Sequence, residues 1–218
     1  MKEHKRVFGY FEIVFNSLYL CTVLAAGIHI LMTAGSRLQL LVGVMALVLA
    51  GGDGFHLVPR ILAVQRRRED GLQGALGFGK LVASISMTVF YVLLWHIGLL
   101  LFLPEGAAPW TMAVYALCAI RILLCLFPQN RWTHRRQPVD WGIYRNLPFF
   151  LLGAVVAGIF WLYRGSAPGL YWMWLAITLS YAFYLPVVLW VNRAPKLGML
   201  MFPKTCTYIW IILMCLSL

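Results

Sequence analysis

The chain has 218 residues, 62% of them hydrophobic and only 11% charged, with a formal net charge of +11. A mean hydropathy of +0.81 excludes a water-soluble domain. The basic excess lies between apolar runs rather than on one polar face, which excludes nucleic acid as the partner and points to the loops of a bilayer protein.

Apolar runs of about 20 residues, the length that spans the hydrocarbon core as a helix, recur along the chain. Met1-Lys2-Glu3-His4-Lys5-Arg6 is basic, but the apolar run behind it continues to Met32 without a small-residue cleavage site. That run reads as a first span, not a cleavable leader. The expected fold is an all-α membrane protein, one integral domain over 1–218. Its seven transmembrane helices lie near 7–32, 38–62, 79–103, 109–127, 146–163, 169–190 and 197–217. Short connectors carry turn residues (Gly35-Ser36, Pro104-Glu105-Gly106, Gly165 to Gly169, Ala194-Pro195), and two longer ones run from Gln65 to Gly77 and from Pro128 to Arg145.

Taken in chain order, the first helix carries Glu12, Asn16 and Tyr19 on one face. The second contains Gly51-Gly52-Asp53-Gly54-Phe55-His56-Leu57-Val58-Pro59-Arg60. At 100° per residue, Asp53, His56 and Arg60 fall within about 60° of one another. The third brings Lys80, Ser84, Thr88, Tyr91 and Trp95 to one side, the fourth Arg121, the sixth Ser180, Tyr181 and Tyr184, and the seventh Lys204 and Tyr208. Cys21, Cys118, Cys125, Cys206 and Cys215 all fall in spans and form no CxxC pair, so they read as small apolar residues. No metal site and no cofactor are expected.

Alternate connectors differ sharply in charge. One side receives Lys2, Lys5, Arg6, Arg66, Arg67, Arg68, Arg131, Arg135, Arg136, Arg145, Arg193 and Lys196; the other receives Arg37 and Arg164. This bias predicts a cytoplasmic N-terminus and an outer C-terminus, in a multi-pass protein of the plasma (inner) membrane. With direction fixed, the polar groups of six helices reach similar depth in the inner half, while the outer halves are almost purely apolar. Pro59, Pro186 and Pro203 lie at that depth too, and each is expected to free a helical carbonyl, those of Phe55, Ala182 and Met199.

An ionisable side chain within lipid marks function by default. Cations (Arg121, Lys204, Arg60, Lys80) outnumber the acids Asp53 and Glu12, which invites a phosphate or carboxylate. The expectation is a cytoplasm-facing polar pocket that binds or transports a small anionic solute or anionic headgroup. Lys204 and Arg121 would hold the anion, with Arg60, Lys80, Glu12 and Asn16 around it and Tyr184 and Tyr208 donating hydrogen bonds. Asp53 with His56 suits proton coupling and general-base catalysis equally. The enzymatic alternative is an intramembrane lysolipid-type hydrolase using that Asp–His pair. The sequence leaves homo-oligomerisation open.

Partial likenesses to known families exist. Gly52-Asp53 ending the second helix, with Gly77 opening the third, resembles the lysoplasmalogenase-type membrane hydrolases; the second acid which that likeness implies in the sixth helix is absent, where Ser180 is followed by Tyr181. Lys204 with Tyr184-Leu185-Pro186 and Trp190 is similar to microbial rhodopsins, whose opposite orientation and third-helix carboxylate the chain lacks. The N-inside plan is similar to the progestin and adiponectin receptor group, without its last-helix histidines.

Overall fold

The computed structural model describes residues 2–66, 71–134 and 137–218, with side chains from Phe8 onward. Arg67, Arg68, Arg135 and Arg136, and the side chains of Lys2, Lys5 and Arg6, therefore lie outside the described residues. Among the described residues there is no strand, and seven helices are long and apolar enough to cross a membrane. They are α1 (Lys2–Thr33), α2 (Arg37–Arg66), α3 (Gln73–Phe102), α4 (Ala108–Leu126), α5 (Val139–Leu162), α6 (Met173–Trp190) and α7 (Met201–Cys215). Leu18, Leu24 and Ile28 on α1 and Met112, Ile120 and Leu123 on α4 stay exposed, as a lipid-facing surface requires.

Helices adjacent in sequence pack side by side, α3 also touches α5, and α7 returns against α1 and α2 to close the ring. The interior centres on α3, where Phe90, Tyr91, Leu94 and Ile97 are inaccessible, as are Met45 and Leu49 of α2. The connectors sort to two ends. At one end, Gly77 abuts Trp132 and Thr133, and Asn192 Nδ2 donates to the Gln137 carbonyl at 3.1 Å. This end joins the α2–α3, α4–α5 and α6–α7 connectors. At the other, Gln39 Nε2 reaches the C-terminal Leu218 carbonyl at 3.4 Å, and Gly169 packs on Ser217.

Three details depart from the expected spans. α5 starts at Val139 rather than 146, with Asp140 in its first turn, where a carboxylate complements the helix dipole. Arg145 is thereby drawn into the helix and buried instead of lying in a connector. Pro203 does not break α7. It sits in the first turn, after a 3-10 turn over Pro195–Leu200, where its missing N–H has no helical partner to lose. Pro59 and Pro186 do lie inside α2 and α6, joined by Pro148 inside α5.

Helix α2 also runs unbroken through Gly51-Gly52-Asp53-Gly54, so these glycines do not unwind it. Gly52 instead lets α3 approach: a Cβ there would collide with the Ser86 side chain. Gly79 does the same from α3, against the Phe55 carbonyl and the His56 backbone. Backbone meeting backbone leaves nothing flexible to yield. Gly79→Ala should therefore lower the unfolding free energy in detergent by about 1–3 kcal/mol. Gly51→Ala, with nothing within 4 Å, should be neutral or stabilising by up to about 1 kcal/mol. Equal melting points for the two variants would contradict this packing.

Candidate functional site

Two cross-helix ties set the register of α1 against α2. Tyr19 donates its hydroxyl to Asp53 Oδ2 at 2.6 Å. Arg60 Nε meets Glu12 Oε1 at 2.6 Å, and its Nη2 reaches Glu12 Oε2 at 3.4 Å. The residues tied are seven apart on both helices, the two turns that bring side chains back to one face. Between the ties, Asn16 and His56 occupy corresponding positions, each four residues from the Glu12–Arg60 tie and three from Tyr19–Asp53.

Helix α7 brings its cation to this level. Phe202 packs against Phe8, Phe11 and Phe15 of α1, with centroids 5.9, 5.4 and 5.0 Å away. Two residues on, the Lys204 ammonium stands 4.5 Å from the Tyr208 ring centroid and 5.1 Å from that of Tyr184. Yet Lys204 forms no carboxylate contact among the described residues, where Arg60–Glu12 is the ion pair. From α3, Lys80 follows the Gly79 that touches the His56 backbone. Tyr91 and Ser180 share a hydrogen bond of 3.0 Å deeper in the bundle, beside the Tyr208–Phe90 ring contact.

The expected Asp53–His56 pair is not joined by a hydrogen bond. Asp53 is taken by Tyr19, and neither ring nitrogen of His56 has a partner among the described residues; its Nδ1 is fully buried. Spacing on one helix placed the two side chains on one face, but their contact depended on which neighbour reached Asp53 first.

Arg121 also departs from expectation. Its Nη1 donates to Asn146 Oδ1 at 3.1 Å and to the Arg145 carbonyl at 3.3 Å, and its guanidinium lies 3.5 Å over the Phe149 ring. It thus ties α4 to α5, and nothing brings it into contact with Lys204. Asn146 and Tyr184 lie between the two cations: the Tyr184 hydroxyl donates to Asn146 Oδ1 at 3.3 Å while its ring faces Lys204. Arg145, expected near the boundary, is 9% exposed. It donates to Asn130 Oδ1 at 2.8 Å and Gln137 Oε1 at 3.2 Å, and stacks over Trp132 at 4.3 Å. Asn130 in turn caps the end of α4 through the carbonyls of Leu124, Cys125 and Phe127.

The candidate site therefore comprises Tyr19, Asn16 and Glu12 from α1, Asp53, His56 and Arg60 from α2, Lys80 from α3, Tyr184 from α6, and Lys204 and Tyr208 from α7. Asn146, at the very start of an expected span, was passed over in the sequence; an amide beside Arg145 in an apolar run was the available signal. The described residues hold no group of three or more His, Cys, Asp or Glu side chains placed to bind a metal.

Tyr19 should matter through Asp53 alone. Tyr19→Phe removes a donor to a carboxylate and should destabilise by about 1–3 kcal/mol, whereas in an Asp53→Asn background the loss should shrink by half or more. Unfolding in detergent measures both, and identical losses would show that the bond carries no weight. Compared with known proteins, the chain matches no family model, no curated protein and no solved structure, so the site is read from its own chemistry.

Proposed function

We propose that this polytopic membrane protein binds a small anionic solute or anionic headgroup at the Lys204 level and carries it across the bilayer. The observation that carries the reading is Lys204 itself. Its ammonium lies among transmembrane helices, cradled by two tyrosine faces and without a carboxylate in contact. Ring faces offset only part of the lost hydration of a cation, and an incoming anion supplies the rest. Asp53, a carboxylate within the same helical bundle held by Tyr19, is the group to exchange a proton as the anion enters or leaves. Helices α2 and α6, which line the site, are both interrupted by proline, as helices that flex around a transport site often are.

In this reading the basic connectors are cytoplasmic, the N-terminus is inside and the C-terminus outside, in the plasma (inner) membrane. The hydrolase alternative draws no support from the geometry, because its Asp–His pair is not assembled.

Orientation can be measured in intact cells. An impermeant maleimide should label Ser217→Cys directly and Arg193→Cys only after permeabilisation; the reverse pattern would invert the topology. For transport, proteoliposomes are presented with a panel of labelled anions (phosphate, lactate, chloride) on the outside. Lys204→Met should cut uptake of the accepted anion by about tenfold or more, the factor that corresponds to one lost charged hydrogen bond. Asp53→Asn should abolish its response to an imposed pH gradient. Equal uptake by native and both variants would end the proposal.

A further inference from the structure

The ring of helices is not equally tight all the way round. Among the described residues, α1 and α7 make the sparsest contact of any two ring neighbours. At the basic-connector end this seam is held by ring contacts, Phe202 of α7 against Phe8, Phe11 and Phe15 of α1. Phe8 and Phe11 are 36% and 54% exposed, so the contact lies at the lipid-facing rim. Phe202 and Lys204 both belong to the first turn of α7, where backbone N–H groups mostly lack a helical carbonyl. Before it comes the 3-10 turn Pro195–Leu200, a geometry with poorer hydrogen bonds than the α-helix. Lys204 itself is only partly buried.

The end of the bundle is held more firmly than its side. Gly77 packs on the backbone of Trp132 and Thr133. Gln137 Nε2 donates to the Trp132 carbonyl at 3.2 Å, and the Gln137 carbonyl accepts from Asn192 at 3.1 Å. These contacts tie the three basic connectors to one another, whereas the way past α1 is closed by phenyl rings on a weakly anchored turn.

We propose that the α1–α7 seam is a side entrance from the bilayer, and that the anion reaching Lys204 is the headgroup of an anionic lipid whose acyl chains stay outside α1 and α7. This rests on the anion-binding reading of Lys204 and narrows it. A hydrated solute would have to leave water for a passage lined by phenyl rings, which return nothing for its lost hydration. A lipid arrives at the seam already dissolved in the bilayer, its chains remain in hydrocarbon, and only its headgroup moves inward to the ammonium. Swinging Phe202 away from the three rings of α1 opens that route and leaves the connector ties in place.

The test uses the full chain in uncharged detergent. Dioctanoyl phosphatidylglycerol at a hundredfold excess over its dissociation constant should raise the melting temperature by about 5–10 °C. Dioctanoyl phosphatidylcholine has the same chains without net charge, and glycerol 3-phosphate has the charge without chains; neither should reproduce the shift. Lys204→Met should remove it. The entrance is tested with Phe15→Cys and Phe202→Cys together, in a chain whose five native cysteines are replaced by alanine. Bridging the pair with a short bis-methanethiosulfonate should slow binding of a fluorescent short-chain phosphatidylglycerol by about tenfold or more, and reduction should restore the rate. Phe15→Cys alone, treated alike, controls for the reagent, and the comparison of the three additives on the native chain stands whatever the stability of the variants. Stabilisation by glycerol 3-phosphate equal to that by phosphatidylglycerol would overturn the lipid assignment while leaving an anion site in place. An unchanged binding rate after bridging would overturn the side entrance. Equal shifts with phosphatidylglycerol and phosphatidylcholine and none with glycerol 3-phosphate, or no shift with any of the three, would overturn both this inference and the anion-binding reading.

Discussion

A charged ammonium partly buried among apolar helices has to recover, from its surroundings, part of the solvation that water would have given it. Lys204 recovers part of it from the faces of Tyr184 and Tyr208. Much else in the bundle serves that arrangement. Asp53 keeps its carboxylate oriented because Tyr19 holds Oδ2, and Tyr19 is at the right height because Glu12 and Arg60 lock α1 to α2 two turns away. Phe202, wedged among three phenylalanines of α1, fixes how far α7 can slide relative to that ladder.

The second polar cluster has a different character. Arg121 and Arg145 are both buried, and their partners are carbonyls, amides and aromatic faces. Arg145 donates through both terminal nitrogens, and Asn130, which accepts one of these bonds, closes the end of α4 at the same time. Such a network is a means of folding a polar connector onto the bundle. Each cluster holds one buried nitrogen without a partner among the described residues, Nε of Arg121 here and Nδ1 of His56 beside Lys204, so what sets the Lys204 cluster apart is an ammonium with no carboxylate in contact. Tyr184 touches both, its ring on one side and its hydroxyl on the other, so a change at Lys204 has a direct route to α5.

The seven helices were legible in the sequence because hydrophobic length alone specifies them, and Asp53, Lys204 and Tyr208 stood out because charge and hydroxyl are rare there. Partnership was not legible. Asp53 lies three residues from His56 on one helical face, yet a tyrosine from α1 takes it; only the inter-helix register decides that. Arg145 looked like a boundary cation because its segment is polar, but those polar residues satisfy one another, so the segment folds inward and α5 begins earlier. Pro203 looked like a helix breaker until the helix start was known. The role of Gly79 was invisible as well: a glycine is interpretable only when the backbone that it admits, here that of Phe55 and His56, is in place.

The claim beneath all of this is that Asp53 and Lys204 share one electrostatic site. A double-mutant cycle on unfolding stability in detergent, with Asp53→Asn, Lys204→Met and the pair, tests it most directly. The account predicts non-additivity of about 1 kcal/mol or more, the double variant being less damaged than the sum of its parts. Strict additivity would place the two charges in separate environments and contradict it.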